Sequence, residues 1–210
     1  MGNLKESRST PSRQFTHCGV DFARPFLVKD VTLRNRKIVK TYMCLFVCFS
    51  TEAIHLKLAF DLSTDGFLMC LRRLFARREK CSCIYSDNGI NFVGEKNELY
   101  RLTEMLTTDN QNNKVQNFLT NHEIEWKFIP PRAPHFGGIW GNGVKAAKTH
   151  LTRVLHDTHL TYEQLYTIMV EVEACLNSRS LTPISSDPND ESPSTPGHFL
   201  IGTSLTVMPQ

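Results

Sequence analysis

KIVKTYMCLFVCFS, Lys37 to Ser50, is a long and nearly continuous apolar run. Such a run suits a central strand covered on both faces, so it calls for a sheet with helices above and below. Two strand-like runs flank it. THCGVDFARPFLV (16–28) is rich in β-branched and aromatic residues, and EAIHLKLAF (52–60) alternates Ile54, Leu56 and Leu58 against His55, Lys57 and Ala59. The polar, basic connection KDVTLRNRK (29–37) suits a hairpin. The three runs therefore read as an antiparallel meander.

The period then changes. In LSTDGFLMCLRRLFARREK (62–80), Phe67, Leu68, Leu71, Leu74 and Phe75 fall on one helical face. Ser63 or Thr64 can cap that helix, and Arg72, Arg73, Arg77, Arg78 and Lys80 lie off its stripe. CSCIYSD (81–87) reads as a short buried strand ending in an acid. VGEKNELYRLTEMLTT (93–108) reads as a helix, DNQNNK (109–114) as a polar break and VQNFLTNH (115–122) as a second short helix. EIEWKFIP (123–130) is a fifth strand, stopped by Pro130 and Pro131. Helices follow at about 140–156 and 161–178. The order predicts an α/β fold, a five-stranded mixed sheet whose first three strands are antiparallel, with helices on both faces. Residues 1–14 are expected to be disordered, 15–178 to form one domain, and 179–210 to be an extended Pro/Ser-rich tail.

Composition narrows the class. The chain has 210 residues, 40% of them hydrophobic, and 24 basic against 21 acidic side chains. It has room for one sizeable core and only a mild positive bias. The polar start has no apolar segment of the secretory kind, so secretion is not expected. The run Tyr42 to Phe49 is far too short to span a membrane. Seven cysteines include no CxxC pair, which argues against a zinc ribbon. Cys44, Cys48, Cys70 and Cys175 sit in apolar runs and read as buried free thiols in a reducing compartment.

Two aspartates mark a possible site. Asp21 lies in the first strand and Asp87 ends the fourth, and in this order of elements those strands can be neighbours at the centre of the sheet. Paired carboxylates on rigid strands suit a two-metal site for chemistry at phosphorus. On spacing alone a plainer reading stands beside it: a strand-end acid, and a turn former before Asn88 and Gly89.

GVDFARPF, IYSDNGINFVG, WKFIPPRAPHFGGIW and ACLNSRSLTPISSDPNDESPSTPGHFLIG together resemble the integrase catalytic core of retrotransposons, most closely the BEL/Pao group, over about residues 16–202. The resemblance implies an RNase H-like fold and a DNA strand-transfer enzyme with a D,D,E triad and Mg²⁺ or Mn²⁺. It sets Asp21 and Asp87 as catalytic metal ligands. The third acid should follow the tryptophan of GGIW, and that position is Gly141. Between Glu125 and Asp157 no acidic residue occurs, so no neighbour replaces it. The expectation is an impaired catalyst, or a non-catalytic nucleic-acid-binding or multimerising module. Gly143 is expected to weaken the helix start further. Lys145 and Lys148 share the helical face of Gly141, with His150 and Arg153 extending the basic stretch. The resemblance makes those lysines DNA contacts, with Asn91 beside the second aspartate and Arg132 and His135 in the loop PPRAPHFGG. Arg24 stands where the family has a small residue, and would place a cation near Asp21. An RNase H-type nuclease would share fold and metals, but PPRAPHFGGIW and LNSRSLTP resemble integrases instead. The expected partners are DNA (element ends and target) and further copies of the chain, with no membrane and no small-molecule substrate. The expected location is the nucleus, and the chain is expected to be the core without the zinc-binding and β-barrel domains that flank it in the family.

Overall fold

The structure is a computed structural model, which describes residues 12–29, 38–86, 109–128, 138–155, 160–181 and 193–205; within these, the side chains of residues 24, 109–113, 128, 138–141, 144 and 155 are not described. The long apolar run forms strand β2 (Ile38–Cys48), buried without a break from Thr41 to Cys48. It pairs antiparallel with β1 (His17–Lys29) on one side and β3 (Ile54–Ala59) on the other. Strands β4 (Cys83–Ser86) and β5 (Glu125–Phe128) add in parallel beyond β1, giving the order β3-β2-β1-β4-β5. The expected neighbourhood of the first and fourth strands is present: Val20 lies beside Ser86.

The sheet has six strands rather than the five expected. The sixth, β6 (Leu160–Thr161), pairs with Val28 and Lys29 at the far end of β1. Two residues carry no readable period, and Thr161 also caps the helix that follows it.

Each face buries its own cluster. Helices α1 (Thr64–Arg78) and α2 (Asp109–Asn121) cover one face, where Phe67, Leu71, Leu74, Val115 and Leu119 meet Val20, Phe22, Cys44 and Phe46. Helices α3 (Gly138–Leu155) and α4 (Tyr162–Asn177) cover the other, where Ala147, Leu151, Leu165 and Met169 meet Ala23, Met43, Leu45 and Val47. A short helix α5 (Pro196–Ile201), within the stretch read as tail, ends at Gly202 in the left-handed conformation.

Three local expectations are corrected. Helix α2 takes in 109–114, the stretch read as a polar break. Asp and Asn are weak mid-helix residues, and burial of Val115 and Leu119 supplies the drive. Cys175 is exposed, because the buried stripe of α4 runs through Leu165, Met169, Val172 and Leu176, about 100° away around the helix. β3 is buried on both faces, His55 and Lys57 included. The expected helix at 93–108 lies outside the described residues.

Candidate nucleic-acid site at the centre of the sheet

The chain builds outward from β1 in two directions, to β2 and β3 on one side and to β4 and β5 on the other. In open α/β sheets the ligand crevice lies at such a reversal, at the carboxyl ends of the parallel strands. Here that point is the end of β4 beside β1. Ser86 closes β4 next to Val20, and Asp21 is the following residue of β1. Asp21 pairs across the sheet with Leu45, which belongs to the cluster under α3 and α4, so its side chain belongs to that face. It is half-buried, and its Oδ1 accepts a hydrogen bond from the Phe22 amide at 2.7 Å.

Two features that fix this point were not foreseen from the sequence. The β1–β2 register slips between Ala23 and Phe26, a β-bulge that holds Arg24 and Pro25. A proline in a central strand needs such a break, and a bulge that starts three residues beyond Asp21 turns the strand locally. The ARP triplet was the available signal. The second feature is Trp126, whose indole N–H donates to Ser86 Oγ at 2.9 Å while its ring packs edge-on against Phe67. It secures the last described residue of β4.

Helix α3 crosses above Leu45. A Cβ on Gly143 would lie 3.3 Å from Val47 Cγ2, 3.4 Å from Ile54 Cδ1 and 3.8 Å from Leu45 Cδ2. Gly143 is thus the point at which the helix seats closely on the sheet, a gain that offsets its poor helix propensity. Gly143, Ala147 and Leu151 form the buried stripe. Gly141, Lys145 and Lys148 lie on another face of the helix; Lys145 is exposed and Lys148 half-buried. The first turn of α3 carries no acidic residue.

Of the remaining predicted site residues, Asp87, Asn91, Arg132 and His135 lie outside the described residues, as does the side chain of Arg24. Among the described residues no group of three or more His, Cys, Asp or Glu side chains could hold a metal ion. Asp21 offers one hard oxygen ligand, of the kind Mg²⁺ or Mn²⁺ takes, and position 141 offers no side chain.

A denser polar cluster lies at the opposite edge of the sheet. Glu173 of α4 accepts from the Leu56 amide at 2.8 Å through Oε2, and its Oε1 meets His55 Nδ1 at 3.0 Å and Arg78 Nη2 at 3.5 Å. Burial pushes His55 below its ordinary value, so the ring is neutral at pH 7 and Nδ1–H donates. Burial pushes Glu173 up, but the His55 bond, the Leu56 amide and the charge of Lys57 outweigh it and leave the carboxyl below its usual range. Burial lowers Lys57 to about 8. One turn on, Asn177 accepts from the Ile54 amide at 2.7 Å and donates to the Ile54 carbonyl at 2.8 Å. Arg73 donates to the Leu58 carbonyl at 2.8 Å. Ile54, Leu56 and Leu58 are alternate residues of β3, so side chains close the main-chain groups of an edge strand. This cluster serves the fold.

No known sequence family and no curated protein matches the chain. Among solved structures it is similar to a chain in the cryo-electron microscopy structure of the simian T-cell lymphotropic virus intasome in complex with the PP2A regulatory subunit B56 gamma. The TM-score is 0.57 at 13% identity, over 94% of this chain and 58% of that one. The chain therefore spans less than two thirds of that neighbour's length. At this identity the likeness shows an integrase-like fold, and the fold alone. No described helix is long and apolar enough to cross a membrane.

Proposed function

We propose that this chain is a retroelement-derived, RNase H-like integrase core of the BEL/Pao kind that engages DNA at the β1–β4 switch point and is catalytically impaired. The observation that carries the reading is the position of Asp21: beside the end of β4, and cross-strand from the leucine on which α3 seats. Asp21 and Asp87 are the residues that would hold Mg²⁺ or Mn²⁺, which when bound supplies activation of an attacking oxygen and stabilisation of a leaving one. Lys145 and Lys148 bind phosphates beside the site, as do Asn91, Arg132 and His135 in the same reading. Further copies of the chain and a nuclear location belong to it as well. Gly141 favours a second reading, a DNA-binding module without catalysis, because the third position brings no carboxylate.

Strand cleavage and strand transfer on a short duplex, in Mn²⁺ and in Mg²⁺, test both. The chain, Gly141→Glu and Asp87→Asn are compared. Activity from Gly141→Glu alone supports the impaired integrase. Activity of the unaltered chain that Asp87→Asn leaves intact would remove the proposed site. Duplex binding with no activity in any protein leaves the binding module.

A further inference from the structure

The β1–β2 hairpin runs well past the site. Asp21 lies eight residues before Lys29, the last residue of β1, which at ~3.3 Å per residue is roughly 26 Å of strand. β4 is parallel to β1 and ends beside Val20, so the hairpin projects from the sheet edge at which β4 ends. Its far end is braced: Val28 and Lys29 pair with β2 on one side and with β6 on the other. Val28 is buried there.

The opposite face of that end is built differently. Leu27 lies across from Lys40, and Lys29 across from Ile38. Cross-strand partners share a face, as do residues two apart, so these four side chains form one patch. Leu27 is 47% exposed and Ile38 51%, and Lys40 is exposed with them. Two lysines alternate with two bare aliphatic side chains. In sequence, the connection DVTLRNRK adds three basic residues against one acidic. A second copy would bring like charge onto like charge, whereas a polyanion with apolar sugar and base surface complements both features.

We infer that this hairpin face, Leu27, Lys29, Ile38 and Lys40, is a second duplex-DNA contact that holds the helix beyond the site. The inference rests on the proposed function and adds an arm that the integrase resemblance did not assign. The lysines bind phosphates, and the aliphatic pair lies against the groove wall. A two-stranded β-ribbon is narrow enough to enter a major groove.

The test is fluorescence anisotropy of a labelled DNA duplex, several helical turns long, across a salt series. The paired variant Lys29→Glu/Lys40→Glu is expected to weaken binding about tenfold and to flatten the log K against log salt slope by about two, one for each lysine–phosphate pair removed. Lys29→Arg/Lys40→Arg is expected to bind as the original does, and circular dichroism confirms that each variant folds. The arm is refuted if charge reversal leaves affinity and slope unchanged while Lys145→Glu/Lys148→Glu weakens binding; that result spares the proposed function. It is also refuted if Leu27→Ser/Ile38→Ser dissociates a dimer in sedimentation with no change in DNA affinity, which would make the patch an interface between copies. No duplex binding by the unaltered chain overturns both readings.

Discussion

Replacing Asn177 with alanine tests whether α4 holds the edge of the sheet. The side chain is fully buried, and its amide completes both main-chain groups of Ile54 as a neighbouring strand would. Alanine removes two hydrogen bonds and leaves a buried N–H and a buried C=O without partners. An unsatisfied buried group costs about 1–3 kcal/mol, so the pair predicts a loss of roughly 2–5 kcal/mol. Against a total of about 5–15 kcal/mol for a domain, that is a large fraction. Asn177→Asp keeps an acceptor for the Ile54 amide but sets a buried carboxylate oxygen against the Ile54 carbonyl, so it should be no more stable than the alanine variant. The assay is equilibrium urea unfolding of the three proteins, read as a change in midpoint at constant slope. A loss below about 1 kcal/mol for alanine would mean that the Ile54 groups find other partners and that α4 does not hold the edge.

The same packing makes three further outcomes testable. Lys57 titrates at about 8 in the folded chain against an ordinary 10.5, so the unfolded chain binds more protons between those values and folding stability rises with pH through that window. Lys57→Met should lack this rise and be more stable at pH 7 by about 3 kcal/mol, a gap that closes towards pH 10.5; an unchanged gap across that range would refute it. Glu173 has a depressed folded value, so its contribution is present above the ordinary carboxylate range and lost as pH falls through the folded value. Glu173→Gln should flatten the acid limb of the stability curve, which acid titration by circular dichroism would detect. Gly143→Leu should lower the melting temperature, since even a Cβ there meets Val47 at 3.3 Å and overpacking costs about 1–3 kcal/mol or more.

The strands and the helical stripes were legible because they are local. The apolar run at 37–50, the alternation at 52–60 and the stripe of Phe67, Leu71 and Leu74 each carry their period within a dozen residues or so. The neighbourhood of β1 and β4 followed from element order. The hidden parts depend on pairings between distant residues. Asn177 and Glu173 reach Ile54 and Leu56 across 123 and 117 positions, and nothing near His55 or Lys57 announces that both will be buried. The motif containing Asn177 stood out only for its integrase resemblance, yet its asparagine has a structural task. Gly143 was misjudged for the same reason: propensity counts only its cost, and the benefit lies on β2 and β3. At the site, the position of Asp21 was readable and the bulge beside it was not, because a register slip is a relation between two strands.

The two glycines of α3 therefore separate. Gly143 is explained by the sheet beneath it, and Gly141 lies off the seated stripe, on the face of Lys145 and Lys148. Gly141→Glu is informative even before DNA is added. Glutamate in place of glycine gains up to about 1 kcal/mol of helix propensity, and a negative charge in the first turn of a helix adds about 0.3–1 kcal/mol. The variant should melt higher in metal-free buffer, so that increment must be subtracted. If Asp21 and position 141 face one ion, Mn²⁺ should raise the melting temperature of Gly141→Glu further while barely moving the unaltered chain. Adding Asp21→Asn should abolish the second increment and keep the first. Equal Mn²⁺ shifts in Gly141→Glu and in the double variant would place the metal elsewhere and detach Asp21 from the site.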